Sequence, residues 1–170
     1  MLPFLGTMGI MAIVGMILTT VAVFTDGWFA VTVQYYRYSV TSYTGIVPYQ
    51  PNAVGWFQAV SWMMYFAVGL NFFVVIALFP LGHLYRRHGG GHRLRHWIHM
   101  ISAACTLAGV LGLIAFIIFM TNYRNGYVNT PLFEISAAYS VYLALVGAIF
   151  SNVAAIAGGS LARRIHNNCY

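Results

Sequence analysis

The chain has 170 residues, 61% hydrophobic and 6% charged, with mean hydropathy +0.77 and a formal net charge of +6. That leaves too little polar surface for a soluble domain of this length and places the chain in a membrane. All eight basic residues are arginines, and six of them fall on one side of the apolar segments, so the basic balance concerns membrane orientation and not nucleic acid.

Four segments, roughly 5–24, 57–81, 97–120 and 133–161, each meet or exceed the ~20 residues a helix needs to cross a bilayer. The first begins without a basic flank and stays apolar too long for a cleaved leader, so it is expected to be a retained helix. Arg86, Arg87, Arg93 and Arg95 fall in the loop 82–96, and Arg163 and Arg164 in the tail 162–170. Short arginine-rich loops stay in the cytoplasm. Both termini are therefore expected inside, and the stretches 25–56 and 121–132 outside. The expected fold is a membrane all-α four-helix transmembrane bundle with cytoplasmic termini and a small antiparallel extracellular sheet, one domain over 1–170.

The sheet is expected in the first outer stretch, where Trp28–Thr41 is crowded with β-branched and aromatic residues and partly alternates. Gly45 and Pro48 break the run, and Pro51 and Asn52 begin the return to the membrane. Seven of the twelve tyrosines lie outside: Tyr35, Tyr36, Tyr38, Tyr43, Tyr49, Tyr123 and Tyr127. Tyrosine joins a large rigid surface to a polar tip and suits both recognition and the membrane interface. With Trp28, Arg37 and Arg124 these tyrosines form the candidate partner-contact surface; the competing reading packs them on the bundle. Asp26, at the outer boundary, is open to pairing with an arginine or to partner contact.

On the inner side His92, His96 and His99 share one face if the third helix starts early. The nearby arginines and the lack of an orienting carboxylate argue against zinc. Together with Arg86, Arg87, Arg93, Arg95, Arg163 and Arg164 these histidines instead suit anionic headgroups, each arginine contributing ~1 kcal/mol. No cofactor or metal is expected. Cys105 is expected to pack as a small apolar residue, and Cys169, close to the inner surface, is the candidate for palmitoylation.

Small residues recur every four positions in the third segment (Ala104, Ala108, Gly112) and in the fourth (Gly147, Ser151, Ala155, Gly159). Such stripes let helix backbones approach closely in lipid, either within the bundle or laterally against another protein. Asn71 and Asn152 are expected to hydrogen-bond between helices, each bond worth ~0.6 kcal/mol. No charged residue lies deep in a span, which speaks against coupled transport. Thr130-Pro131 reads as a helix start and would put Glu134 in the first turn of the fourth helix. Paired carboxylates and a catalytic triad are lacking, and Gly89-Gly90-Gly91 runs into His92 without the Lys-Ser or Lys-Thr of a phosphate loop. Neither an enzyme nor a small-molecule substrate is expected.

Three motifs carry a family resemblance. Thr25-Asp26-Gly27-Trp28 resembles the Thr-Asp-x-Trp that closes the first helix of calcium-channel gamma subunits. Phe57-Gln58-Ala59-Val60-Ser61-Trp62-Met63-Met64 is similar to the Leu-Gln-Ala-Ala-Arg-Ala-Leu-Met of claudins, with Ser61 in place of the arginine. Asn122-Tyr123-Arg124-Asn125 through Phe133-Glu134-Ile135-Ser136 to Gly158-Gly159 resembles the second outer loop and fourth helix of claudins. The chain thus resembles the claudin superfamily over nearly its whole length, although Gly45-Ile46-Val47-Pro48-Tyr49-Gln50 stands where claudins carry a tryptophan and two cysteines. The resemblance implies a multi-pass plasma-membrane protein that binds itself or another membrane protein at cell–cell junctions, in adhesion or as a paracellular barrier. The alternative it implies is an auxiliary subunit held laterally against a channel or receptor.

Overall fold

The computed structural model describes residues 2–35, 38–88, 92–123 and 133–168; the side chains of 2–4, 35, 84–88, 92, 93, 133 and 166–168 fall outside that description. In chain order the elements are α1 (Leu2–Phe24), β1 (Phe29–Tyr35), β2 (Tyr38–Thr44), α2 (Gly55–His88), α3 (His92–Asn122), β3 (Phe133–Ala137) and α4 (Tyr139–Asn168). All four helices are long and apolar enough to cross a membrane. Their outward faces carry exposed Ile10, Ile17, Phe66, Ile76, Phe79 and Ile156, as helices bathed in lipid require.

Three boundaries differ from expectation. The helices outrun their apolar spans at the arginine-rich end: α2 continues to His88 and α3 begins at His92, so most of the expected inner loop 82–96 is helix. The expected tail is helical to Asn168. A helix that leaves the bilayer keeps its backbone bonds, and the polar end residues only change what surrounds them. The third difference is at 133–137, which is a strand and not the first turn of α4. Glu134 therefore has no helix dipole to meet; it pairs across the ladder with Thr32. The alternation Glu134-Ile135-Ser136-Ala137 satisfies the open edge of β1, and that pairing outweighs the local helix signal.

The sheet order is β2-β1-β3, all antiparallel, with Val31 opposite Ser42 on one side and Ile135 on the other. The second outer segment is thus stitched into the sheet begun by the first. Backbone bonds prolong the stitch, Ala138 N–H to Trp28 O at 3.1 Å and Ser140 N–H to Gly27 O at 2.9 Å. A side chain at Gly27 would strike the Tyr139 ring at 2.4 Å, so glycine is required where α4 enters the bundle.

Within the bundle α4 packs against α1 and α3, and α3 also against α2. The α1–α4 approach is close because both sides carry glycine: a β-carbon on Gly147 would lie 2.7 Å from Thr19 Cγ2 and 3.3 Å from Gly15 O. A polar node sits beside it. Thr19 Oγ1 donates to Gly15 O at 2.8 Å and accepts from Asn71 Nδ2 at 3.1 Å, while Ser151 Oγ donates to Asn71 Oδ1 at 3.2 Å. Asn71 thereby links α1, α2 and α4 as expected. Asn152 does not bridge helices in this way: its Nδ2 donates to Ala148 O of its own helix, and its side chain covers Gly109.

Two cores result. The arginine-rich end is aliphatic, built on Met8, Val74, Leu81, Ile98, Ile101 and Ile165; the sheet end is largely aromatic, built on Trp28, Phe29, Phe57 and Phe119 with Ile46. Trp28 is fully buried, its indole N–H donating to Ala22 O at 2.6 Å and its ring meeting Phe119 edge-on at 5.4 Å. Phe29, next along, lies 5.0 Å from Phe57 and 4.9 Å from Phe119.

Two predictions follow from this packing, both read as thermal unfolding in detergent. Gly147→Ala is expected to cost about 1–3 kcal/mol through overpacking, whereas Gly159→Ala, where a β-carbon meets nothing within 4 Å, is expected to be neutral or stabilising by up to ~1 kcal/mol. Equal destabilisation by the two would contradict the α1–α4 contact described above. Trp28→Ala is expected to cost about 3–5 kcal/mol, and Trp28→Phe about 1 kcal/mol with the lost hydrogen bond plus a smaller packing loss. An unfolding temperature unchanged in Trp28→Ala would show that the sheet is held by something else.

Candidate functional site

The surface that projects beyond the bundle is made by the sheet and by the segment 45–54 that leads back to α2. β2 is its outermost element, with every residue from Tyr38 to Tyr43 exposed. Tyr38 is 65% exposed, Val40 52% and Tyr43 56%, and among the described residues β2 pairs only with β1. Strand alternation sorts the neighbours. On the outward face Thr32 stands between Thr41 and Glu134, its hydroxyl 3.0 Å from that of Thr41, and the next row is Tyr43, Ala30 and Ser136. The opposite face carries Phe29, Val31 and Val33, continuing the aromatic core outward.

Beneath that apolar face lies a groove of about 460 Å³. Phe29 and Val31 form its roof, the segment 49–54 one wall, and Trp56 and Phe57 at the start of α2 its floor. The wall is tied down by Gln58, whose Nε2 donates to Pro51 O at 2.8 Å and Ala53 O at 3.0 Å. Tyr65 Oη donates to Ile46 O at 3.0 Å, and Ile46 is itself buried. The stretch 45–50 that lacks the tryptophan and cysteine pair is thus held by the buried Ile46 and the Tyr65 hydrogen bond to it, with the two Gln58 bonds fastening the chain just beyond. The groove was missed in the sequence; its signal was the Trp56-Phe57 pair placed where an apolar span begins, just after Pro51-Asn52.

The expected contact residues divide. Tyr38, Tyr43 and Tyr49 are exposed. Trp28 and Tyr123 are corrections: both are buried, Tyr123 stacked on Phe119 with ring centroids 5.9 Å apart, so neither offers a contact surface. Tyr36, Arg37, Arg124 and Tyr127 lie outside the described residues, as does the side chain of Tyr35. The Thr25-Asp26-Gly27-Trp28 motif has a structural use, since Thr25 Oγ1 is 2.7 Å from both Val21 O and Ser140 Oγ, joining the end of α1 to the start of α4; Asp26 alone of the four is exposed.

The small-residue stripes face inward. Ala108, Gly112, Gly147, Ser151 and Ala155 are buried and Ala104 is half-buried, while Gly159 departs from the stripe and looks onto open space. At the other end Arg163 and Arg164 are exposed and Arg95 is half-buried, with His96 and His99 exposed nearby in sequence. The side chains of Arg86, Arg87, His92 and Arg93, and the whole of Cys169 and of Gly89–Gly91, lie outside the described residues. Cys105 is buried as a free thiol in α3.

A family model described as "Tight junction protein, Claudin-like" matches residues 1–169. No curated protein is significantly similar to the chain.

Proposed function

The chain belongs to the claudin-like tight junction protein family, and from that premise we propose that it works at the plasma membrane by protein–protein contact, joining or sealing neighbouring cells through its sheet. It is a multi-pass membrane protein. Six arginines at one end of the bundle orient that end to the cytoplasm and the sheet to the outside. The reading is structural and involves no catalysis.

The observation that carries it is β2: an edge strand exposed on both faces, beyond the bundle, bearing Tyr38, Val40 and Tyr43. Exposed edges template pairing with another chain unless charge, proline or a bulge blunts them, and β2 carries neither charge nor proline. Its partner is a second copy or another claudin-like protein. A channel or receptor gripped through the small-residue stripes fits less well, because most of those residues are already consumed inside the bundle.

Two cell populations carrying differently tagged copies, grown together, test the proposal. The protein is expected to concentrate at borders between the two populations. Tyr38→Ser with Tyr43→Ser is expected to remove about 2 kcal/mol of contact energy, roughly 30-fold in association, and to disperse the border signal at equal surface level. Border enrichment that survives the double substitution would refute a role for β2. Stoichiometric co-purification of a channel, with no enrichment at borders, would replace the reading by the auxiliary-subunit one.

A further inference from the structure

We propose that the groove beneath the sheet binds a sterol drawn from the outer leaflet, a role independent of the contact function of β2. Its volume of about 460 Å³ falls in the range of small-molecule sites, about 300–1,000 Å³. Its position selects a membrane ligand. The floor is Trp56 and Phe57, and the membrane-crossing stretch of α2 starts at Gly55, so the groove opens where the helix enters the bilayer.

An exposed aromatic track connects the two. Tyr49 on the groove wall lies 5.9 Å from the ring of Trp62, and Trp62 lies 6.2 Å from Phe66 one turn deeper; Trp62 is 53% and Phe66 63% exposed. A rigid apolar molecule sliding up this lipid-facing track keeps aromatic contact from the acyl region to the groove.

The lining chemistry selects among lipids. Tyr49 and Trp56 offer stiff aromatic surface, and the edges of the buried Phe29 and Phe57 rings close the groove behind them, which favours a fused-ring body that loses little rotamer freedom on binding over a flexible acyl chain. The polar side chains on the lining are Thr44, Gln50 and Asn52, all uncharged. They can hydrogen-bond a hydroxyl, whereas a phosphate buried there would face no cation among the described lining residues.

The purified full-length protein in phosphatidylcholine nanodiscs, exposed to a photoreactive clickable sterol, tests this. Labelling is expected to saturate, to map by chymotryptic digestion to the segments 29–31 and 49–57, and to be displaced by unlabelled cholesterol. Val31→Trp and Ala53→Trp fill the groove from roof and wall independently; either, if monodisperse, is expected to abolish the displaceable fraction and leave diffuse labelling of the helices. The proposal is overturned if wild-type labelling is confined to lipid-facing helices, if a photoreactive phosphatidylcholine labels the groove equally well, or if a monodisperse filled variant keeps displaceable labelling. Should neither variant be monodisperse, the wild-type map and its displacement decide alone.

Discussion

The sheet's hold on the bundle rests on one buried ring. Trp28 follows α1 by four residues and precedes β1, and it turns inward to donate to Ala22 O, a carbonyl in the last turn of α1. That carbonyl belongs to a helix terminus, where the last four C=O groups lose their intrahelical donors. The indole therefore satisfies an orphan acceptor and fills the space against Phe119 in the same act. β1 can start only where this anchor leaves it. Since β1 is the central strand, β2 and β3 inherit its position.

The two ends of the bundle solve different problems. In lipid the hydrophobic effect does not drive helices together, so contact needs close backbones and a few polar bonds. Gly15, Gly147 and the Thr19–Asn71–Ser151 node supply both between α1, α2 and α4. At the sheet end the chain leaves the bilayer and carries irregular backbone, which needs a water-excluding cover. Phe29, Trp56, Phe57, Phe119 and Tyr123 form one continuous set of ring contacts there, at centroid distances of 4.9–6.0 Å. A disulfide acts mainly on the unfolded chain by closing a loop. Ring packing acts on the folded state, and here it bridges β1, the start of α2 and the end of α3. The free Cys105, buried in α3, lies in the other core and takes no part.

Legibility in the sequence followed the length scale of each signal. Spans of ~20 apolar residues identify helices without any knowledge of neighbours, and all four were readable. Their ends at the arginine-rich side were not, because composition marks where the bilayer stops and not where the hydrogen-bonded helix stops. β3 has only five residues, preceded by a proline that imitates a helix start; its identity depends on β1, a hundred residues earlier. Asn71 and Asn152 look alike in sequence, yet one finds Thr19 and Ser151 across helices while the other turns back to Ala148 O. Trp28 and Tyr38 are likewise both aromatic residues of an outer segment. Only the fold separates the one that is fully buried from the one that is 65% exposed.

The sheet's outer face also limits what kind of recognition it can support. Along its central rows the side chains are hydroxyls and an alanine, with Glu134 as the one carboxylate, exposed at the β3 side. Among the described residues of those rows Glu134 is the one charge, and it is screened within about 8 Å at physiological ionic strength. In the contact role proposed for β2, selection rests on shape and on backbone hydrogen bonding along the strand, where register is fixed by which residues alternate outward. In that proposed role tyrosine suits the uncharged edge: Tyr38 and Tyr43 lie on opposite faces of the strand, so a partner strand added in register would meet one ring on each side.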